Sequence, residues 1–242
     1  MANGFSGVSE NCHLSKGGIA MHHGIYQGCD APKQAKRILI LGESHHDKDE
    51  KIGEPASYTT ESIVQTYLEE EKTGKTHCFF HKIACSFGID TTKAEEKKNF
   101  WDKVYFGNYI DVVCGVGDTA AQTTAKAHQD EYNQELREFV LQEKIDVIFC
   151  FGVKAVYNYL PAQQGWDQNA IYPDGKIVVG QTLKNGQRKN VYLRAGVYRE
   201  KGYFQREVAV YGIPHPSAQG GFHPDYFVNE LKNFFESEDK TK

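Results

Sequence analysis

Four short runs of consecutive apolar residues restrict the fold of this chain more than any other feature. Residues 37–42 read Arg-Ile-Leu-Ile-Leu-Gly, residues 146–152 read Asp-Val-Ile-Phe-Cys-Phe-Gly, and residues 208–213 read Val-Ala-Val-Tyr-Gly-Ile. A less regular run lies within residues 104–113, centred on 109–113 or slightly earlier. Such runs, bounded by Gly or Pro, are typical of strands buried on both faces of a parallel sheet.

Amphipathic segments separate these runs. Tyr132, Leu136, Phe139 and Val140, for example, recur at the spacing of one helix face. We predict helices that begin at residue 59 or 60, cover residues 77–87, 94–103, 132–140 and 154–160, and start again near residue 224. This alternation predicts a three-layer α/β/α fold with a mainly parallel, four-stranded central sheet.

Residues 162–205 interrupt the alternation. The dipeptide Asn185-Gly186 lies between the extended runs 177–183 and 190–193, a pattern that predicts an inserted β-hairpin. The predicted organisation is an irregular lead-in at residues 1–36, one α/β domain at 37–236 with the hairpin insertion at 162–205, and a polar tail at 237–242.

Composition narrows the classes of function. Lys and Arg number 28 against 32 Asp and Glu, so the net charge of −4 excludes a polycation but leaves room for a local basic groove. No apolar run approaches the length of about 18 residues that a membrane span needs. The six cysteines lack C-x-x-C spacing, and no export signal is recognisable. We therefore expect a cytoplasmic monomer without a metal or other cofactor.

Polar residues follow the predicted strands where each strand ends. Glu43, His45 and His46 follow the first strand, Asn108 belongs to the second, and His215 follows the last. Ligands of open α/β sheets bind at the carboxyl ends of the strands. We therefore expect these side chains to converge on one site, whereas a single histidine after a strand is most often an ordinary loop residue.

Two of these strand ends resemble the motifs of one family. Gly-Glu-Ser-His-His at residues 42–46 resembles the first motif of the uracil-DNA glycosylase superfamily, which reads Gly-Glu-Ala-Pro-Gly or Gly-Gln-Asp-Pro-Tyr-His in different branches. His-Pro-Ser-Ala at residues 215–218 resembles the second motif. Phe-Gly-Asn at residues 106–108 is similar to the segment that supplies a base-reading Asn, and residues 147–160 resemble the strand-Gly-helix unit between the motifs. The resemblance spans residues 37–235 in order.

The resemblance implies a role for each matching residue. Glu43 would stabilise positive charge on the sugar and orient water, and His215 would stabilise negative charge on the departing base. Asn108 would read the flipped base by donating and accepting hydrogen bonds. The further substrate-binding candidates are Ser44 and Ser217 for phosphates, and Tyr58, Phe87 or Phe106 for stacking on the base.

The sequence departs from the family pattern at three places. His45 and His46 replace the usual Pro-Gly or Pro-Tyr, which permits a base larger than uracil. Gln219 or Phe222 stands where the family commonly has a wedge residue, and either one could fill the space left by the flipped nucleotide. The four-cysteine pattern of the iron–sulfur branches is missing, so we expect no cluster.

These features predict a DNA glycosylase that flips out and excises a modified base. A hydroxymethylated or glucosylated pyrimidine of phage DNA is the leading substrate, which suggests anti-phage defence, and uracil is the runner-up. A nucleoside or nucleotide hydrolase and a non-catalytic nucleic-acid-binding module remain alternatives, and the lysines at positions 72, 75 and 82 have the pattern of a solvated helix face. A metal-dependent hydrolase is a further alternative. Its candidate ligands are Cys12, His13, His22, His23, Cys29, His45 and His46.

Overall fold

A mixed sheet of eight strands forms the centre of the computed structural model, which describes residues 24–45, 49–70, 78–114, 119–162, 164–217 and 222–236. The strands are β1 (Tyr26–Gln27), β2 (Ile38–Gly42), β3 (Tyr105–Asn108), β4 (Val147–Phe151), β5 (Trp166–Asp167), β6 (Lys176–Lys184), β7 (Gln187–Tyr198) and β8 (Val208–Ile213). Their order across the sheet is β1-β3-β2-β4-β8-β7-β5, and β6 also pairs with β7.

The four strands in the middle of the sheet, β3, β2, β4 and β8, are parallel to one another. The other four strands run antiparallel to their neighbours. The prediction of a parallel centre is confirmed, but the predicted total of four strands is wrong. The hairpin β6–β7 joins the sheet through β8, and the short strands β1 and β5 extend its two edges.

Helices cover both faces of this sheet, as the three-layer prediction requires. They are α1 (Thr60–Glu69), α2 (Cys78–Ser86), α3 (Ala94–Asp102), α4 (Ala120–Ala127), α5 (Gln129–Gln142), α6 (Asp225–Leu231) and α7 (Asn233–Glu236). Ile38 and Ile40 of β2 belong to the core beneath α1, α2, α3 and α6, whereas Leu39 and Leu41 belong to the core beneath α4 and α5. Burial on both faces explains why these strands are apolar at consecutive positions.

Two local sequence signals are confirmed. Thr59 is the N-cap of α1: its hydroxyl accepts a hydrogen bond from the Ser62 backbone N–H at 3.1 Å, and the Ser62 hydroxyl accepts one from the Thr59 N–H. Asn185 and Gly186 both have positive φ, at 53° and 73°, and form the two-residue turn between β6 and β7. This turn geometry matches the right-handed twist of the hairpin.

Three element predictions differ from the structure. The second strand lies at Tyr105–Asn108 because it pairs with residues 39–42 of β2, so its centre is not at 109–113. Residues 154–160 form turns and the 3₁₀ helix Tyr157–Tyr159, because only eight residues separate Gly152 from Pro161 and two of them are valines. No helix is predicted between residues 103 and 132, but α4 begins at Ala120 within that stretch.

Two findings concern membrane association and the redox state of the cysteines. No helix among the described residues is long and apolar enough to cross a membrane. Cys29 is disulfide-bonded, while the other described cysteines, Cys78, Cys85, Cys114 and Cys150, are free thiols. The cysteine pattern therefore does not by itself support a reducing compartment.

Candidate functional site

The carboxyl ends of the four parallel strands lie along one edge of the sheet. β3 ends at Asn108, β2 ends just before Glu43, β4 ends just before Gly152, and β8 ends two residues before His215. Neighbouring strands are about 4.8 Å apart, so the ends of β3 and β8 are separated by roughly 14 Å. The topology thus brings the predicted strand-end residues to one edge of the sheet.

Asn108 lies across the end of β2. Its backbone pairs with Gly42, and a Cβ atom placed on Gly42 would overlap the Asn108 side-chain oxygen. The same Cβ would lie 3.3 Å from Cζ of Phe79 and 3.4 Å from Cζ of Phe106. Gly42 is therefore the residue that allows the Asn108 amide and two aromatic rings to meet at this strand end.

His215 is oriented by its own loop. The Ser217 backbone N–H donates a hydrogen bond to Nδ1 of His215, with 3.2 Å between the two nitrogens. A ring nitrogen that accepts a hydrogen bond carries no proton, so the neutral imidazole has its proton on Nε2. The arrangement therefore makes Nε2 a hydrogen-bond donor without requiring a positively charged histidine.

Helix α2 supports this loop with two side chains. The ring of Phe79 lies against the His215 imidazole, with 5.3 Å between centroids and 34° between planes. The Lys82 ammonium donates a hydrogen bond to the Pro216 carbonyl at 2.7 Å. Lys82 is half-buried in this contact and therefore does not belong to a solvated face, whereas Lys72 and Lys75 lie outside the described residues. Both contacts restrict the position of His215 relative to the sheet edge.

Glu43 is half-buried against Gly152, the residue that follows β4. A Cβ atom on Gly152 would lie only 2.7 Å from Oε1 of Glu43, so a larger residue there would displace the carboxyl group. Burial raises the pKa of Glu43 to about 7, and the positive charge of Lys154 partly opposes this rise. The group can therefore change its protonation state near neutral pH.

Backbone hydrogen bonds fix the segment that carries Glu43. The Gly42 carbonyl accepts from the Tyr109 N–H at 3.0 Å, and the Glu43 carbonyl accepts from the Ile110 N–H at 2.9 Å. Farther along, the His45 carbonyl accepts from the Cys114 N–H at 3.0 Å. Residues 42–45 thus continue the pairing of β2 beyond its last residue, which holds Glu43 at a defined position.

His45 is buried, with 4% of its surface exposed, and does not face solvent. Its ring meets Tyr58 edge to face, with 5.1 Å between centroids. His45 lies two residues after Glu43, so this ring contact ties the segment that carries Glu43 to residue 58.

The remaining predicted site residues fall into three groups. Phe87 and Phe106 are buried, so neither offers an exposed platform for a base. Ser44 is half-buried and Ser217 is exposed, with the Ser217 backbone N–H already engaged by His215. His46 and Gln219 lie outside the described residues, and Phe222 is buried against Phe227.

Sequence reasoning missed Phe79, Lys82 and Lys154. The predicted helix at 77–87 has a clear apolar face, and Phe79 stands beside that face, three residues before Lys82. Side chains at this spacing project to the same side of a helix. This spacing could have indicated that Phe79 and Lys82 contact the same neighbouring element. The sequence around them does not identify that element as the loop of His215.

A metal site finds no support among the described residues, where no group of three or more His, Cys, Asp or Glu could hold a metal ion. Cys29 is engaged in a disulfide and offers no thiolate. The candidate ligands outside the described part of the chain are Cys12, His13, His22, His23 and His46.

No protein-family model matches the chain, and a search of curated proteins gave no match. The chemistry of the site must therefore be judged from its groups: an amide that both donates and accepts, an N–H donor, an aromatic face, and a carboxyl group that titrates near pH 7.

Proposed function

We propose that the protein is a DNA glycosylase that excises a modified base from DNA by hydrolysing its N-glycosidic bond. The observation that carries this proposal is the row of groups along the carboxyl edge: the Asn108 amide, the Phe79 ring and the His215 imidazole, with the half-buried Glu43 beside them. The motif resemblance at residues 42–46, 106–108 and 215–218 points to the same chemistry.

The division of labour follows from the chemistry of each group. A base inside a duplex is inaccessible, so the target nucleotide must be flipped out of the stack. Asn108 would pair with the edge of the flipped base, and Phe79, rather than the aromatic residues predicted from sequence, would offer its ring to the face of that base. Stacking is tolerant of substituents, so Asn108 and its neighbours would supply the discrimination.

Bond cleavage would place charge at two positions. The carbon–nitrogen bond breaks with its electron pair leaving on the base, and the sugar acquires oxocarbenium character. Nε2–H of His215 would donate to the base oxygen on which negative charge develops. The ionised Glu43 would stabilise the sugar cation and accept a proton from the attacking water, whose oxygen forms the new bond to the sugar carbon.

The preferred base is proposed to be a pyrimidine modified at C5. His45 and His46 stand where uracil-specific branches of the family that the motifs resemble have a Tyr that closes the pocket against groups at C5, which supports room for a hydroxymethyl or glucosyl group. A pocket built to bind a polar substituent discriminates against bases that lack it, because its own polar groups are left unpaired. Such bases occur in phage DNA, so the proposed role is defence against phage. We further propose that the enzyme acts in the cytoplasm as a monomer.

Incubation with a panel of oligonucleotides, each with one unusual base, tests the proposal when released bases are identified by mass. A parallel incubation with the free nucleosides separates a DNA glycosylase from a nucleoside hydrolase. The proposal predicts a free base from one or more of the DNAs and none from the nucleosides. Release from nucleosides at equal or higher rate would favour the hydrolase instead.

A further inference from the structure

The hairpin β6–β7 has a charge composition unlike that of the whole chain. Residues 176–198 contain five cationic residues and no Asp or Glu, although the chain has a net charge of −4. The five are Lys176, Lys184, Arg188, Lys189 and Arg194. None of the ion pairs formed by the described residues involves Lys176, Arg188, Lys189 or Arg194.

The register of the sheet shows that the hairpin extends beyond the edge that carries the candidate site. Arg194 of β7 pairs with Gly212, the residue before the last of β8. Because β7 runs antiparallel to β8, its residues 187–192 lie past the carboxyl end of β8. At about 3.3 Å per residue they project roughly 20 Å beyond the edge where Glu43, Asn108 and His215 are found.

The tip of the projecting part is exposed, whereas the stretch next to the sheet edge is anchored. Arg188 and Lys189 are exposed, and Leu183 is 67% exposed. Nearer the sheet edge, where Gly180 and Gln181 pair with β7, the Tyr226 ring covers Gly180, and its hydroxyl donates to the Gln181 carbonyl at 2.8 Å. The hairpin is therefore fixed to the body of the protein at one end and accessible to a partner at the other.

Its cations lie on both faces. Successive side chains of a strand point to opposite faces, so Arg188 and Lys189 face opposite ways. Arg188 shares a face with Tyr192 and Arg194, whereas Lys189 shares one with the buried Val191 and Leu193. A partner that neutralises both must present negative charge on two sides of the hairpin.

We propose that this hairpin binds in the major groove of double-stranded DNA and contacts the phosphates on both sides of the groove. The major groove of B-form DNA admits a two-stranded β-ribbon, and its walls carry phosphates on either side. One part of this proposal rests on the proposed function. Because the hairpin lies beside the candidate site, its contact with DNA would lie next to the nucleotide to be excised. The charge complementarity does not depend on that function.

The test is the affinity of the full chain for an unmodified duplex of about 24 base pairs, measured by fluorescence anisotropy at several salt concentrations. R188E/K189E reverses two charges on the hairpin. K144E/K201E is the matched control, because both lysines are exposed and precede β4 and β8 at the opposite edge of the sheet. Thermal melts of both variants verify that each is folded.

For R188E/K189E we expect affinity to fall about 10- to 100-fold near 0.1 M salt. The negative slope of the logarithm of the association constant against the logarithm of the salt concentration should become shallower by about 2. K144E/K201E should bind within about twofold of the parent, since a solvent-exposed charge at that distance is largely screened. R188Q/K189Q should show a smaller loss in the same direction, since it removes the charges without introducing repulsion.

Equal affinities for R188E/K189E and the parent chain would overturn the proposal, and so would equal losses in both charge-reversed variants. The same variants are also measured with single-stranded DNA and with an RNA duplex. A loss seen only with these two probes would overturn the major-groove assignment, because a single strand has no groove and the A-form major groove is too narrow for a ribbon. The duplex carries no target base, so failure of the glycosylase proposal would leave these results unchanged.

Discussion

The ring of Phe79 and the imidazole of His215 are in contact, with centroids 5.3 Å apart, although one belongs to α2 and the other follows the last strand of the parallel sheet. The Lys82 ammonium also donates a hydrogen bond to the Pro216 carbonyl. These two contacts hold the loop that follows β8 against helix α2.

Replacing His215 should greatly reduce the rate of base release and hardly change the affinity for DNA. Loss of a preoriented donor to a developing anion typically slows a reaction by about 10²- to 10³-fold. We expect H215A to lose base release to this extent in single-turnover reactions while its DNA affinity stays within about threefold. The matched control is H223A, which removes an exposed histidine from the start of the last helical segment. Full activity of folded H215A would remove His215 from the mechanism.

Phe79 and its neighbour Phe80 should separate activity from stability. Phe79 is half-buried against His215, whereas Phe80 is 6% exposed among Tyr67, Trp101 and Phe106. We expect F79L to reduce base release about 10- to 100-fold, because small misplacements of a reacting group are costly. F80L should instead lower the free energy of unfolding by roughly 1–2 kcal/mol through lost packing. The opposite pattern in melts and rates would contradict the placement of Phe79 at the site.

The rate of base release should depend on the protonation of Glu43. With a pKa of about 7, the carboxylate needed for catalysis forms as pH rises, so the rate should increase tenfold per pH unit below 7 and level off above it. E43Q should be slow and lack this inflection. K154M removes the charge that lowers the pKa, so its inflection should move to higher pH. An unchanged pH profile in E43Q would assign the titration to another group.

The same carboxyl group predicts a change in stability that needs no substrate. Its pKa is raised from 4.5 in the unfolded chain, so the folded state binds the proton more tightly. The free energy of unfolding should therefore fall as pH rises from about 4.5 to about 7, and stay constant above. E43Q should be more stable than the parent above pH 7, by roughly 2–3 kcal/mol. A stability difference that does not vary with pH would show that the group is not desolvated.

Gly42 should be required for activity beyond its effect on folding. G42A would push the Asn108 amide and the Phe79 ring away from the strand end. G212A is the matched control, because Gly212 lies on the parallel strand β8 and its Cβ would meet the Tyr157 ring, on the face of the sheet opposite to Phe79. Both should lose about 1–3 kcal/mol of stability from overpacking. Only G42A should lose base release when rates are compared per folded molecule.

The sequence alone predicts the centre of the fold well. Residues 38–41 are apolar at successive positions because they face the two buried layers in turn. This pattern can be read from a few neighbouring residues of the sequence. The edges are harder, since the residues of β1 and β5 become strands only through pairing with β3 and β7. Glu43, Asn108 and His215 are predictable because strand ends in parallel sheets meet at one edge.

The groups that support these three residues could not be predicted in the same way. Phe79 and Lys82 reach the His215 loop through the packing of α2, and the raised pKa of Glu43 comes from burial beside Gly152 and the proximity of Lys154. Such contacts join residues that are distant in the chain, and no local pattern records them. The basic hairpin was recognisable as a hairpin, but its projection past the site depends on the register of Arg194 with Gly212.

The central claim is that Glu43 and His215 together cleave an N-glycosidic bond in DNA. The most direct measurement uses duplexes that carry uracil, hydroxymethylcytosine or glucosylated hydroxymethylcytosine in one sequence context, with free base and abasic strand quantified by mass for the parent chain and for E43Q/H215A. We expect the parent to release one of these bases and to leave an equimolar abasic strand, with a preference for a C5-modified base, and the folded double variant to release none. Absence of free base from every duplex, or equal release by the double variant, would remove these two residues from such a reaction.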